Sequence, residues 1–181
     1  MEKGTIKGIL GWILYFAAII AVSLFIVAFI GQRTVVDGDS MNDTLHNNDN
    51  LLVDKVSYRF HDIERFDIVV FRYYGDYSAK KKFYIKRVIG LPGETVQIID
   101  GDIYINGEIL EESYGKEEML SSGRAYEPIT LGEDEYFVLG DNRNNSSDSR
   151  DPAVGNINRS KIVGRAFFRM TPLADFGLLK K

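Results

Sequence analysis

The stretch FYIKRVIGLPGETVQIIDGDIYINGEI, residues 83–109, decides the fold. Aromatic and branched residues dominate its short runs, and polar residues break in at alternate positions, the pattern of half-buried strands. Asp100-Gly101 and Asn106-Gly107 punctuate it. Such pairs supply the two positive-φ positions of a tight hairpin turn, so the stretch predicts strands over 83–90, 94–100 and 103–105 joined by hairpins. Alternation in the first strand puts Tyr84, Lys86 and Val88 on one face and Ile85, Arg87 and Ile89 on the other.

The same signature recurs outward. NLLVDKV (50–56), FDIVVFR (66–72), EYFVLG (135–140) and KIVGRAFFRM (161–170) read as further strands. Short strands separated by turn residues predict an all-β sandwich or barrel-like domain. Residues 111–127, EESYGKEEMLSSGRAYE, read as a polar surface loop or flap, and 149–161 as a second loop punctuated by Pro152 and Gly155.

The N-terminus differs in kind. No charged side chain occurs from Gly8 to Gln32. As a helix, Ile9–Ile30 would rise roughly 33 Å, close to the ~30 Å of a bilayer's hydrocarbon core. The apolar run exceeds that of a cleavable signal peptide and leads into AFIGQRT, a poor cleavage site. An uncleaved transmembrane anchor within residues 1–32 is therefore expected, with residues 33–181 as one domain. Lys3 and Lys7 on one side against Arg33 on the other give little positive-inside bias. We place the N-terminus in the cytoplasm and the domain outside. FRYYGDY (71–77), with Tyr73, Tyr74 and Tyr77, reads equally as an interfacial contact or a surface aromatic cluster.

Composition narrows the chemistry. The chain has 181 residues, 45% hydrophobic and 27% charged, enough for a packed core. A net charge of −4 leaves no footprint for nucleic acid. The absence of cysteine removes disulfides, thiol nucleophiles and thiolate metal sites. The two histidines, His46 and His61, sit in polar surroundings, which argues against a Ser-His-Asp triad and a zinc site alike. No D-[ST]-G motif supports an aspartic pair. A serine activated by a lysine is left, and a lysine serves as base only where its pKa is lowered. Lys86, on an apolar strand, is the candidate base, in contrast to the solvated run Lys80–Lys82. Its bland reading is a strand lysine that snorkels to water. Ser40, in VVDGDSMNDTLHNNDN (35–50), is the candidate nucleophile. The dense polar stretch GDNRNNSSDSR (140–150) reads as a hydrogen-bonded clamp rather than a linker.

Together these stretches resemble the type I signal peptidases, membrane-anchored serine proteases with a Ser-Lys dyad. GDSMNDTL (38–45) is similar to that family's G-x-S-M-x-P-T-L box, RFDIVVF (65–71) to R-G-D-I-V-V-F, YIKRVIGLPGE (84–94) to its lysine box, and GDNRNNSSDSR to G-D-N-R-x-N-S-x-D-S-R. The resemblance implies a signal-peptidase-like, mainly β catalytic domain behind the anchor, and a substrate class of secretory preproteins cut after a small-x-small, A-x-A-like site. It implies Ser40 as nucleophile, Lys86 as general base, and the Ser40 N–H in the oxyanion hole. Ser146 would bond the lysine, Asp148 would pair with Arg150, and Asp141 and Arg143 would support the loop. Val36, Met41, Tyr84 and Ile85 would line the substrate pockets. No metal or diffusible cofactor is implied, and the lipid bilayer is the second expected partner.

Two positions depart from the family pattern. Asp43 stands where the box has proline, which predicts a looser turn after the nucleophile. Gly38 stands where some relatives carry a serine, as in compact Gram-positive-type members. Asp43 leaves a weakly active or non-catalytic paralogue that binds exported chains as an alternative reading, and a dedicated processing protease with one substrate is another.

Overall fold

In the computed structural model, residues 3–29, 31–73, 82–115 and 117–180 are described. Tyr74 and Tyr77 of the tyrosine-rich stretch, and Lys80 and Lys81 of the charge run, lie outside them. A helix, α1 (Lys3–Phe29), precedes twelve strands: β1 (Gly31–Val35), β2 (Asn50–Asp54), β3 (Ile68–Tyr73), β4 (Lys82–Gly90), β5 (Thr95–Ile99), β6 (Asp102–Ile105), β7 (Glu108–Ile109), β8 (Ile129–Thr130), β9 (Glu135–Leu139), β10 (Ile157–Asn158), β11 (Ile162–Thr171) and β12 (Gly177–Leu178). Among the described residues, no helix is long and apolar enough to cross a membrane. The described side chains of α1, from Gly8 to Ser23, are all exposed.

The strands form two antiparallel sheets. The larger runs β1-β2-β11-β3-β4-β9-β10, with β12 also on β11; the smaller runs β7-β6-β5-β8. Both are open paths, so the barrel-like expectation is corrected to two open sheets. The pairings are antiparallel because hairpin turns join β5 to β6 and β6 to β7, with Asp100, Gly101, Asn106 and Gly107 all at positive φ. The sequence reading gave these turns and seven of the twelve strands. It missed β1, β7, β8, β10 and β12, most of them two-residue pairings that carry no periodicity of their own.

Three apolar clusters fill the fold. Ile89, Val96, Ile98, Phe137 and Leu139 join the two sheets. Val36, Met41, Leu45, Leu51 and Val53 pack under the β1–β2 connection with Ile68 and Val70 of β3, and Val69, Phe71, Val88 and Val138 pack on the other face of β3. Where β4 leaves for β5, Arg65 clips the turn. Its guanidinium donates to the Ile89 carbonyl at 2.5 Å and to the Glu94 carboxylate at 2.6 and 3.0 Å, while Glu94 also accepts from Leu91 N–H. The described residues of 111–127 carry no strand and one short 3-10 turn, Gly123–Tyr126, and they are not a free flap. Met119 and Ala125 are buried in the core between the sheets, and the Tyr114 ring packs tilted, 5.1 Å from that of Phe66.

Replacing Gly107 by alanine isolates the turn geometry, because a Cβ there meets nothing within 4 Å and only the positive φ resists it. Urea unfolding is expected to show a loss of about 1 kcal/mol, with peptide cleavage unaffected.

Candidate active site

Ser40 sits on the turn between β1 and β2. Val36 N–H donates to Asp49 O and Asn48 N–H to Val36 O, closing the loop at its base. Met41 and Leu45, buried on either side of the tip, pull the turn onto the core, and Leu45 N–H donates to Met41 O at 2.8 Å. Gly38 has φ +102°, a conformation open to glycine, and its N–H is held by Asn47 Oδ1. Asp43 is exposed. The residue after it is gripped twice: the Thr44 hydroxyl lies 3.4 Å from Arg87 Nη2, and its carbonyl accepts from Arg169 Nη2. Contacts from two strands, β4 and β11, thus hold the residue that follows the position where the family pattern has proline.

Lys86 reaches the serine from the middle of β4, where it stands opposite Val69 of β3. Its Nζ is 2.6 Å from Ser40 Oγ and 3.0 Å from the Ile85 carbonyl, and lies 5.3 Å from the Tyr84 ring. The residue is 4% exposed, so the snorkelling reading does not hold. Burial lowers its pKa to about 8, against the upward pull of Asp148 and Asp141. Near neutral pH a neutral amine is therefore accessible, and its lone pair faces a hydroxyl proton at hydrogen-bond distance.

The 140–150 loop lies directly on this pair. Asn142 N–H donates to Ser40 O at 3.1 Å, and Asn142 Nδ2 donates to Asp39 O at 3.1 Å. A Cβ on Gly140 would stand 2.4 Å from Ser40 O and 2.2 Å from Ser146 Oγ, so no other residue fits. Two buried ion pairs hold the loop in place. Arg87, fully buried, binds Asp141 through both carboxylate oxygens at 2.8 and 2.7 Å, and its guanidinium lies 3.6 Å over the Tyr114 ring. Arg150 binds Asp148 at 2.9 Å through both oxygens, as expected, and donates further to Arg143 O and Ser121 O.

The structure brings Ser40, Lys86, Asp141, Arg143, Ser146, Asp148 and Arg150 into one region but connects some of them differently from the sequence reading. Ser146 Oγ is buried without a hydrogen-bond partner, and the expected bond to Lys86 is not formed. Gly140 leaves it packed against backbone instead. Asp141 is taken up by Arg87. Arg143 pairs with Glu112 of the 111–127 segment at 2.5 Å and reaches Gly140 O at 3.2 Å. Arg87, Asn142 and Glu112 were not singled out from sequence. For the first two a signal existed: Arg87 is an arginine on an apolar strand and Asn142 lies inside the clamp.

A cleft of about 890 Å³ opens over Ser40 and Lys86. All four candidate pocket residues, Val36, Met41, Tyr84 and Ile85, line it, together with Ser146 and Asn145. Its two walls are strand edges. β1 ends the large sheet, and β4 pairs with β9 only from Arg87 onward, which leaves Lys82–Lys86 unpaired by strand on that side. Neither histidine lines the cleft. Among the described residues no group of three or more His, Cys, Asp or Glu side chains is placed to hold a metal ion.

The lysine's shift carries a stability consequence. With a folded pKa of about 8 against an ordinary 10.5, the unfolded chain binds more protons between those values, so stability rises with pH across that window. Lys86→Met removes the slope. Its stabilisation over the parent is expected to be constant below pH 8 and to shrink by about 3 kcal/mol by pH 10.5, as read by denaturant unfolding across pH.

Comparison with known proteins gives a consistent picture. Residues 9–171 match the family described as "Signal peptidase, peptidase S26". "Probable signal peptidase I-2" of Synechocystis is 41% identical over 174 residues, covering 94% of this chain and 76% of that one. "Signal peptidase I" of Leptolyngbya laminosa is 40% identical, covering 88% and 78%. "Signal peptidase I S" of Bacillus subtilis is 36% identical, covering 93% and 92%.

Proposed function

The chain belongs to the signal peptidase family, peptidase S26, as a serine endopeptidase of the signal peptidase I type that removes signal peptides from secreted preproteins, and on that premise we propose how its residues do so. Ser40 is the nucleophile and Lys86 the general base. The observation that carries the assignment is the 2.6 Å contact between Nζ and Oγ, made by a lysine that burial keeps largely deprotonatable.

Neutral Lys86 takes the Ser40 proton as Oγ attacks the scissile carbonyl. The Ser40 N–H stabilises the oxyanion, and fixing the Ser40 and Asp39 carbonyls by Asn142 keeps that N–H aimed without reorganisation. The lysine ammonium then protonates the departing amine. A water, deprotonated by Lys86 in turn, hydrolyses the acyl-serine. Asp141 and Asp148, with their arginines, position the loop; they touch neither substrate nor the reacting atoms. Ser146 Oγ, buried beside the dyad and unpaired, is a hydrogen-bond partner for the ammonium once Lys86 takes up the proton.

The substrate enters as an extended strand between the free edges of β1 and β4, where main-chain bonds supply affinity. Val36, Met41, Tyr84 and Ile85 form the floor, which leaves room for small side chains and favours an A-x-A-like sequence. α1 is the membrane anchor, with the N-terminus cytoplasmic and the domain at 33–181 extracytoplasmic. A helix apolar on every side, with its described side chains exposed, needs an apolar medium, and the family is membrane-anchored. Of the tyrosine-rich stretch, Tyr73 stacks on Tyr84 at 4.6 Å and packs with the core.

Ser40→Ala and Lys86→Ala are each expected to lower preprotein cleavage by at least about a thousandfold in detergent or lipid; normal turnover by either variant contradicts the dyad. In the parent protein, kcat/KM is expected to rise about tenfold per pH unit up to about pH 8 and level off above it. A flat profile from pH 6 to 9 contradicts the lysine base.

A further inference from the structure

A second cleft, of about 300 Å³, lies at the other flank of the large sheet. Lys55, Arg59, Arg72 and Arg159 line it with Tyr58 and Ser160, and no acidic side chain does. The chain as a whole is acidic, with net charge −4, so this concentration of positive charge inverts the local balance. Arg159 is held by Tyr58 O at 2.9 Å and Tyr136 Oη at 3.2 Å, and its nearest carboxylate, on the exposed Asp62, is 3.5 Å away. Among the described residues, Lys55, Arg59 and Arg72 have no hydrogen bond or ion pair from their side chains. Three cations therefore face one small cleft with no counter-charge of their own.

Register fixes where this cleft sits. Gly31, two residues past the end of α1, pairs with Asp54, Asp54 with Arg165, and Arg165 with Val69. Following each antiparallel strand beyond that rung, on the side from which α1 arrives, leads to Lys55 and Arg59, to Ser160 and Arg159, and to Arg72. All four cations thus lie at the anchor end of the sheet. Phe60, next to Arg59 in sequence, is 77% exposed there, an aromatic side chain beside cations as at a lipid–water interface.

We propose that this cleft binds the phosphodiester headgroup of an anionic phospholipid and so docks the anchor end of the domain on the bilayer surface, an inference that rests on α1 being the membrane anchor. Guanidinium groups match phosphate oxygens in geometry as well as charge, and the volume lies at the small end of ligand sites, fitting a headgroup. Headgroup contact would hold the catalytic cleft at a fixed attitude to the membrane from which its substrate emerges.

The test uses the full chain in a neutral maltoside detergent, with lipid retention read by native mass spectrometry. Phosphatidylglycerol is expected to be held at one per chain and phosphatidylcholine not. In Lys55→Gln/Arg59→Gln/Arg72→Gln, phosphatidylglycerol should bind on the order of a hundredfold more weakly, whereas Lys55→Arg/Arg59→Lys/Arg72→Lys should keep it. Cleavage of a preprotein in lipid-free micelles should be equal in all three and reports that they are folded. Unchanged retention in the charge-removed variant, or equal retention of the two lipids, overturns the proposal. Saturation by inorganic phosphate at the same concentration as phosphatidylglycerol overturns the lipid as the source. Alkaline extraction from vesicles separates the underlying reading: a chain that is extracted contradicts the anchor, and one that stays but does not discriminate the lipids contradicts the cleft.

Discussion

The backbone at Gly140 touches the backbone at Ser40 so closely that a methyl group between them would lie 2.4 Å from the serine carbonyl. The rest of the site depends on that contact. It joins a turn from the start of the domain to a loop a hundred residues later, and Asn142 continues the junction with bonds to Ser40 O and Asp39 O. A loop of such polarity holds this position only because its charges are buried in pairs. Arg87 with Asp141, and Arg150 with Asp148, are nearly inaccessible to water. Pairs of this kind add little net stability, since desolvation offsets most of their attraction, but breaking one costs about 3–5 kcal/mol. Their effect is to make one loop geometry far better than its neighbours.

The same arrangement sets the state of Lys86. Burial disfavours its charged form, and the carboxylates of Asp141 and Asp148 work the other way. Each of those carboxylates is bound at both oxygens by its own arginine. Desolvation is the larger of the two effects at the lysine.

Much of this was legible in sequence, and for identifiable reasons. The long strands show alternation, and the hairpins show Asp-Gly and Asn-Gly. From pattern alone Lys86 reads as a snorkelling strand lysine and Ser40 as a turn residue; the four stretches that resemble the signal peptidases single out the pair. What was not legible depends on register across the sheet. That Arg87 meets Asp141, that Arg143 meets Glu112, and that Ser146 does not bond Lys86 follow from which residues stand opposite one another and from Gly140's close approach. The polar composition of 111–127 suggested a free loop, yet two buried apolar residues and Arg150's bond to Ser121 O tie it behind the clamp. The basic cleft was invisible for the same reason: its four cations come from three separate parts of the chain.

The large sheet thus carries two surfaces, a cleft over Ser40 and Lys86 and a basic end beside α1, with β3 and β4 running between them. A neutral Lys86 amine is the central requirement of the proposed mechanism. Lysine ¹³Cε resonances of the full chain in micelles, with Lys86 identified by its absence in Lys86→Met, measure that directly. A titration midpoint of about 8 is the predicted result; a midpoint near the ordinary 10.5 would contradict it.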